Sequence, residues 1–109
     1  MEAGAQSQAP RIISTVPAFG DCEVDPELTE IVIKFDQDMS PEYSVPNVSI
    51  LPQVTAKPVW IDARTFSIPV KLVPGRLYGL QFNSSRYRSF RNLEGVSLNP
   101  VDLMFRTKS

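Results

Sequence analysis

Ten prolines, about twice the usual share, are scattered along the 109 residues and not clustered. Proline cannot donate a backbone hydrogen bond and clashes inside a helix, and in a sheet it is confined to edges and bulges. Few uninterrupted windows remain for a helix, and no long window carries apolar residues at the helical period. What is left is a set of short strands joined by turns.

The strands show as β-branched or alternating runs bounded by turn residues. Arg11-Ile12-Ile13-Ser14-Thr15-Val16 is a first strand ended by Pro17, and residues 17–21 turn the chain. Asp25-Pro26-Glu27-Leu28 is a second turn or a single helical turn. In Glu30-Ile31-Val32-Ile33-Lys34-Phe35, the side chains of Ile31, Ile33 and Phe35 face inward and the others outward. Residues 36–46 form a loop. Val48-Ser49-Ile50-Leu51 is a short strand between Pro46 and Pro52. Residues 56–61, with Trp60, and 65–70, with Phe66, Ile68 and Val70 on one face, make a hairpin around Asp62. Residues 77–83 and 101–106 supply the last two strands, and 84–99 is a long polar connection containing Gly95.

Between the hairpin and the last strands lies Leu72-Val73-Pro74-Gly75-Arg76-Leu77-Tyr78. Pro74-Gly75 turns the chain, and Tyr78 opens a strand in which Tyr78, Leu80 and Phe82 share a face. A tyrosine placed so, just after a turn from the neighbouring sheet, packs its ring inside while its hydroxyl bonds back to backbone near the turn. Trp60 and Tyr78 therefore belong to the core. About seven strands at spacings near ten residues predict an all-β, two-sheet sandwich.

Hydrophobic content of 42% and charged content of 21% are those of an ordinary globular domain, and the length suits one domain. Residues 1–10 are small and polar and read as a flexible tail or linker; 11–109 form the domain. No apolar run approaches the ~20 residues that span a bilayer, and the N-terminus lacks the basic start and apolar stretch of a signal peptide. Net charge is −1, which gives no global field for nucleic acid or an anionic membrane. Residues 1–62 nevertheless carry a net of −7 and residues 63–109 a net of +6. Strands from the two halves lie side by side in a sandwich, so much of this asymmetry should cancel in space.

The chain has no histidine. Ser-His-Asp and Cys-His arrangements are excluded, and so is zinc held by cysteine and histidine. The one cysteine, Cys22, cannot form an intramolecular disulfide and reads as a small, semi-buried residue. Asp36-Gln37-Asp38 and the group Glu23, Asp25, Glu27 offer oxygen ligands of the kind calcium takes, but solvated loops are the simpler account of both. Twelve acids always contain some pair at glycosidase spacing, so such a pair carries no specificity.

The sharpest patch is Arg86-Tyr87-Arg88-Ser89-Phe90-Arg91-Asn92, where cations alternate with aromatics. Such a pattern can track a phosphate backbone, yet the acidic isoelectric point, about 5.3, argues against nucleic acid. The plainer account is a connection whose Tyr87 and Phe90 pin it to the core while the arginines stay solvated. Arg86, Tyr87, Arg88 and Arg91 are the candidate contacts for a protein partner or a glycan. A small carbohydrate-binding module, with Tyr43, Trp60 and Tyr87 as stacking rings, is the alternative function.

Pro17-x-x-Gly20, Ile31-x-Ile33-x-Phe35-x-x-x-Met39, Thr65-Phe66, Leu72-x-Pro74-Gly75-x-x-Tyr78, Gly95 and Phe105-x-Thr107 occur in this order from Arg11 to Thr107. Together they resemble a bacterial Ig-like domain of the type first described in surface-layer proteins. The resemblance implies an immunoglobulin-like sandwich serving as a spacer, stalk or interaction module. Such modules stand in tandem or beside hydrolase or peptidase domains in envelope and secreted proteins. It implies no catalytic residue, and it makes neighbouring domains or another protein the expected partners; no cofactor or metal is assigned, and calcium at an acidic loop is left open. The match departs at one place: the family's turn at Gly95 follows an acid, as in Asp-x-x-Gly-Asn, whereas Arg91 stands near that place here.

Overall fold

A computed structural model describes residues 8–43, 50–84 and 88–109. Among these residues there is no helix, and seven strands form two antiparallel sheets. The larger sheet contains β1 (Ile12–Val16), β2 (Glu30–Phe35), β3 (Gln53–Val54), β4 (Val59–Asp62) and β5 (Thr65–Lys71). Its order is β1-β2-β5, and β4 and β3 share the far edge of β5, one after the other. The smaller sheet pairs β6 (Leu77–Phe82) with β7 (Val101–Arg106) in unbroken register from Leu77↔Arg106 to Phe82↔Val101.

Alternation places the core. Ile31, Ile33 and Phe35 of β2 and Phe66, Ile68 and Val70 of β5 face Tyr78, Leu80 and Phe82 of β6 and Leu103 and Phe105 of β7, all buried in one cluster. The sandwich expected from the strand spacing is therefore present. In β5 the outward residues Thr65 and Ser67 are buried as well, because this strand has neighbours on both edges.

Tyr78 makes the corner anticipated above. Its ring lies 5.6 Å from that of Phe105, and its hydroxyl accepts the amide of Val73 at 2.9 Å. Thr107 closes the same corner: its hydroxyl accepts the Arg76 amide at 2.9 Å and donates to the Val73 carbonyl at 2.6 Å. Gly75 takes the left-handed conformation the turn needs, at φ 67°.

The N-terminal segment joins both sheets. After β1 the chain crosses over through a cis Val16-Pro17 peptide. Residues 20–24 then run parallel to β7. Gly20 N–H donates to Met104 O, Arg106 N–H to Asp21 O, Val24 N–H to Arg106 O and Lys108 N–H to Val24 O, at 2.7–3.2 Å. On the other side of the smaller sheet, Gly79 of β6 donates to Ile50 O at 3.0 Å. A Cβ at Gly79 would come within 2.8 Å of Ile50 Cδ1, so a larger residue here would push the Ile50 side chain aside.

Four expectations are corrected. Of the expected strand 48–51, Val48 and Ser49 lie outside the described residues and Ile50-Leu51 is not in a strand; the third strand is Gln53–Val54. The connection 84–99, expected to be polar apart from Tyr87 and Phe90, also buries Leu98, while Phe90 is buried as expected. Trp60 packs against the core without being enclosed by it, because β4 is an edge strand. Cys22 is exposed, its thiol 3.5 Å from Gly20 O. At the N-terminal end of the described chain, Pro10 is buried, and Gln8 O accepts hydrogen bonds from the side-chain amides of Gln37 and Asn92.

Candidate functional site

The candidate arginines belong to the connection between β6 and β7. Its geometry starts at Asn83, which follows β6 in the left-handed conformation (φ 63°) and is wholly buried. Asparagine tolerates this conformation better than other residues with a Cβ. Its side-chain amide donates to Phe90 O (2.9 Å) and Leu98 O (2.8 Å), and its oxygen accepts the Phe90 amide (2.9 Å). One buried side chain thus fastens the outgoing and the returning limb of the connection.

Phe90 fills the space this creates. Its ring lies 5.3–5.9 Å from those of Phe35, Phe66 and Phe82, edge-on to the last two. Trp60 adds a further ring at 6.1 Å. Beyond Phe90, Asn92 organises the turn at Gly95: its oxygen accepts the amides of Glu94 (3.0 Å) and Val96 (2.9 Å). Asn92 stands three residues before Gly95, and its neutral amide oxygen forms the turn. Its Nδ2 donates to Gln37 Oε1 at 2.9 Å, which ties the turn to the loop after β2.

Two of the four candidate contacts can be placed. Arg88 is exposed, and its carbonyl accepts the Ser97 hydroxyl at 3.2 Å. Arg91 is half-buried: its carbonyl accepts the Ser40 amide at 2.9 Å, and its backbone bridges to Ser97. Arg91 Nε is buried without a hydrogen-bond partner. Both arginines therefore sit on one connection held at Ser97. Arg86 and Tyr87 lie outside the described residues.

The acidic groups beside this connection are committed elsewhere. Asp36 accepts the backbone amide of Arg11 at 2.9 Å, and Asp38 accepts Arg64 Nε at 2.8 Å. With Gln37, Arg64, Leu93 and Glu94 they line a shallow depression of about 220 Å³. The hydrogen bond from Arg64, first, and the charge of Asp38 hold the Arg64 guanidinium above its ordinary pKa. Among the described residues no group of three or more acids or cysteines is arranged to hold a metal ion. Glu23 and Glu27 donate their backbone amides to Asp21 and Asp25, so that acidic stretch is a pair of local turns.

Of the three rings considered for sugar stacking, Tyr87 lies outside the described residues, and Tyr43 and Trp60 pack against the core. Tyr43 lies 5.0 Å and Trp60 4.8 Å from Phe66, and Trp60 Nε1 donates to Pro41 O at 2.9 Å. Both rings stay partly exposed. Among the described residues no helix is long and apolar enough to cross a membrane. No protein-family model and no curated protein matches the chain.

Proposed function

We propose that this chain is a non-catalytic, Ig-like structural module: a spacer or accessory domain of a larger bacterial envelope or secreted protein, in contact with neighbouring domains. The path of the backbone supports this most directly. The chain comes in beside the start of β5, where Gln8 O is held by Gln37 and Asn92 and Arg11 exchanges hydrogen bonds with Asp36. It leaves beyond the end of β5, where Lys108 O accepts the Gly75 amide and Thr107 N–H donates to Arg76 O. β5 has seven residues, so at about 3.3 Å per residue these points are some 20 Å apart, at opposite ends of the sandwich. A module fastened in this way sets a fixed distance between whatever precedes and follows it. Arg88, on the connection at the incoming end, is placed to meet the preceding neighbour.

Two copies joined in one chain by a two-residue linker test the proposal. Small-angle scattering should give a maximum dimension close to twice that of the single domain. A compact particle, or a linker cleaved as readily as a long flexible one, would refute it.

A further inference from the structure

The outer face of the larger sheet carries a row of side chains that the core does not use. The registers Val16↔Val32, Val32↔Ser67 and Val59↔Ser67 set Val16, Val32, Ser67 and Val59 in line across β1, β2, β5 and β4. Val16 and Val59, at the two ends of the row, are 54% and 52% exposed. Ile13 (64%) and Ile61 (59%) lie at the bulges of β1 and β4, flanking it. Ser67, between Val32 and Val59, is only 4% exposed because both neighbours shield it. Single exposed apolar residues need no explanation, but here exposed valines stand at both ends of one row, either side of half-buried Val32 and shielded Ser67.

Charge indicates what covers it. Glu30 and Lys34 are the outward residues two places either side of Val32 on β2, and both are exposed. If a second copy packs on this face with its strands antiparallel and its Val32 over Val32, each Glu30 meets the other copy's Lys34. The parallel arrangement sets Glu30 over Glu30 and Lys34 over Lys34. The surface is therefore complementary to itself in one of the two two-fold orientations and repulsive in the other, so charge selects the antiparallel contact.

We infer that the outer face of β1-β2-β5-β4 is a self-association surface, on which two copies of this chain pack face to face with antiparallel strands. Four strands about 4.8 Å apart and three rows of outward residues give a patch of about 400 Å² per copy, half of the ~800 Å² typical of stable complexes. Lys34 is also drawn to Asp62 within its own sheet, which leaves less of its charge for the second copy. The contact is accordingly weak between free domains and takes effect where copies are crowded side by side. It is independent of the spacer proposal, since a lateral contact leaves both chain ends free.

Sedimentation of the wild-type chain up to about 1 mM should show a reversible monomer–dimer equilibrium. Val32→Asp should abolish it. Val59→Lys, on an exposed edge strand where folding tolerates a charge, should do the same. Glu30→Lys and Lys34→Glu should each weaken association by roughly tenfold or more, and the double swap should restore it to within about threefold of wild type. A chain monomeric at 1 mM, wild-type association in a folded Val59→Lys variant, or a double swap as weak as the single changes would each overturn the inference.

Discussion

Two hydroxyls fasten the junction of β5 with β6, and that of Tyr78 can be removed without disturbing the ring. Tyr78 accepts the Val73 amide across five residues of sequence, and both partners flank the Pro74-Gly75 turn. Tyr78→Phe keeps the ring against Phe105 and leaves that amide without its partner. The expected loss is about 1–2 kcal/mol in urea unfolding with the m-value unchanged; a neutral result would mean that water replaces the hydroxyl at no cost. Asp62 acts on the other side of the molecule. The Arg64 amide, at 2.9 Å from its Oδ1, and then the Thr65 side chain hold its carboxyl below the ordinary aspartate range. A depressed pKa stabilises the fold above the unfolded-state value, and the contribution is lost as pH falls through the folded value. Stability should therefore drop as pH falls below about 4. Asp62→Asn, which keeps an accepting oxygen for the Arg64 amide, should make that acid limb shallower in melts recorded against pH. An unchanged limb would assign the loss to other carboxylates.

At the scale of elements, the β4–β5 hairpin carries the indole that holds the edge strand down. Trp60 pairs in register with Phe66, rests 5.7 Å from Phe35 and reaches Pro41 O through its N–H. Trp60→Ala removes these contacts from a side chain that is only partly enclosed. The cost should be about 3 kcal/mol, the low end for an aromatic truncation, read from far-UV circular dichroism in denaturant because the variant has lost its tryptophan. A near-neutral change would place the indole on the surface in solution. This hairpin was legible in the sequence, as were β2 and the Tyr78 corner, because each depends on residues within a few positions of one another: alternation, a turn, an aromatic. Three features were not. Leu98 stands in a polar run with no period to reveal it, and its place depends on Asn83 bonding to two carbonyls at separations of 7 and 15 residues. Residues 20–24 pair with β7 through backbone alone, and only Val24 among them is buried. β3 is two exposed residues long, too short to alternate. Of the candidate contacts, the sequence located the connection and its Phe90 anchor, but it could not separate solvated Arg88 from half-buried Arg91, which depends on where Ser40 and Ser97 meet the chain.

For the whole molecule, the question is whether two unequal sheets behave as one unit. β6 and β7 alone are a two-stranded ribbon, which is marginal in water by itself. Three things join it to the larger sheet: the shared core, the Tyr78 corner, and residues 20–24, which continue from β1 and run along β7. Opening the ribbon would expose Phe82, Leu103 and Phe105 together with the faces of Ile31, Ile33 and Phe66 that cover them, so partial opening sacrifices most of the apolar burial that complete unfolding does. The amides of Gly79 and Arg106, bonded to Ile50 and Asp21 at the two outer sides of the ribbon, should therefore exchange with solvent at nearly the same free energy as those of Ile31 and Ile33 in β2. Native-state hydrogen exchange read residue by residue measures this directly. Matching values would make the sandwich a single cooperative block, as a fixed-length spacer requires. Exchange at Gly79 and Arg106 faster by two or more orders of magnitude, about 3 kcal/mol, would mean that the smaller sheet opens on its own and that the module yields before it unfolds.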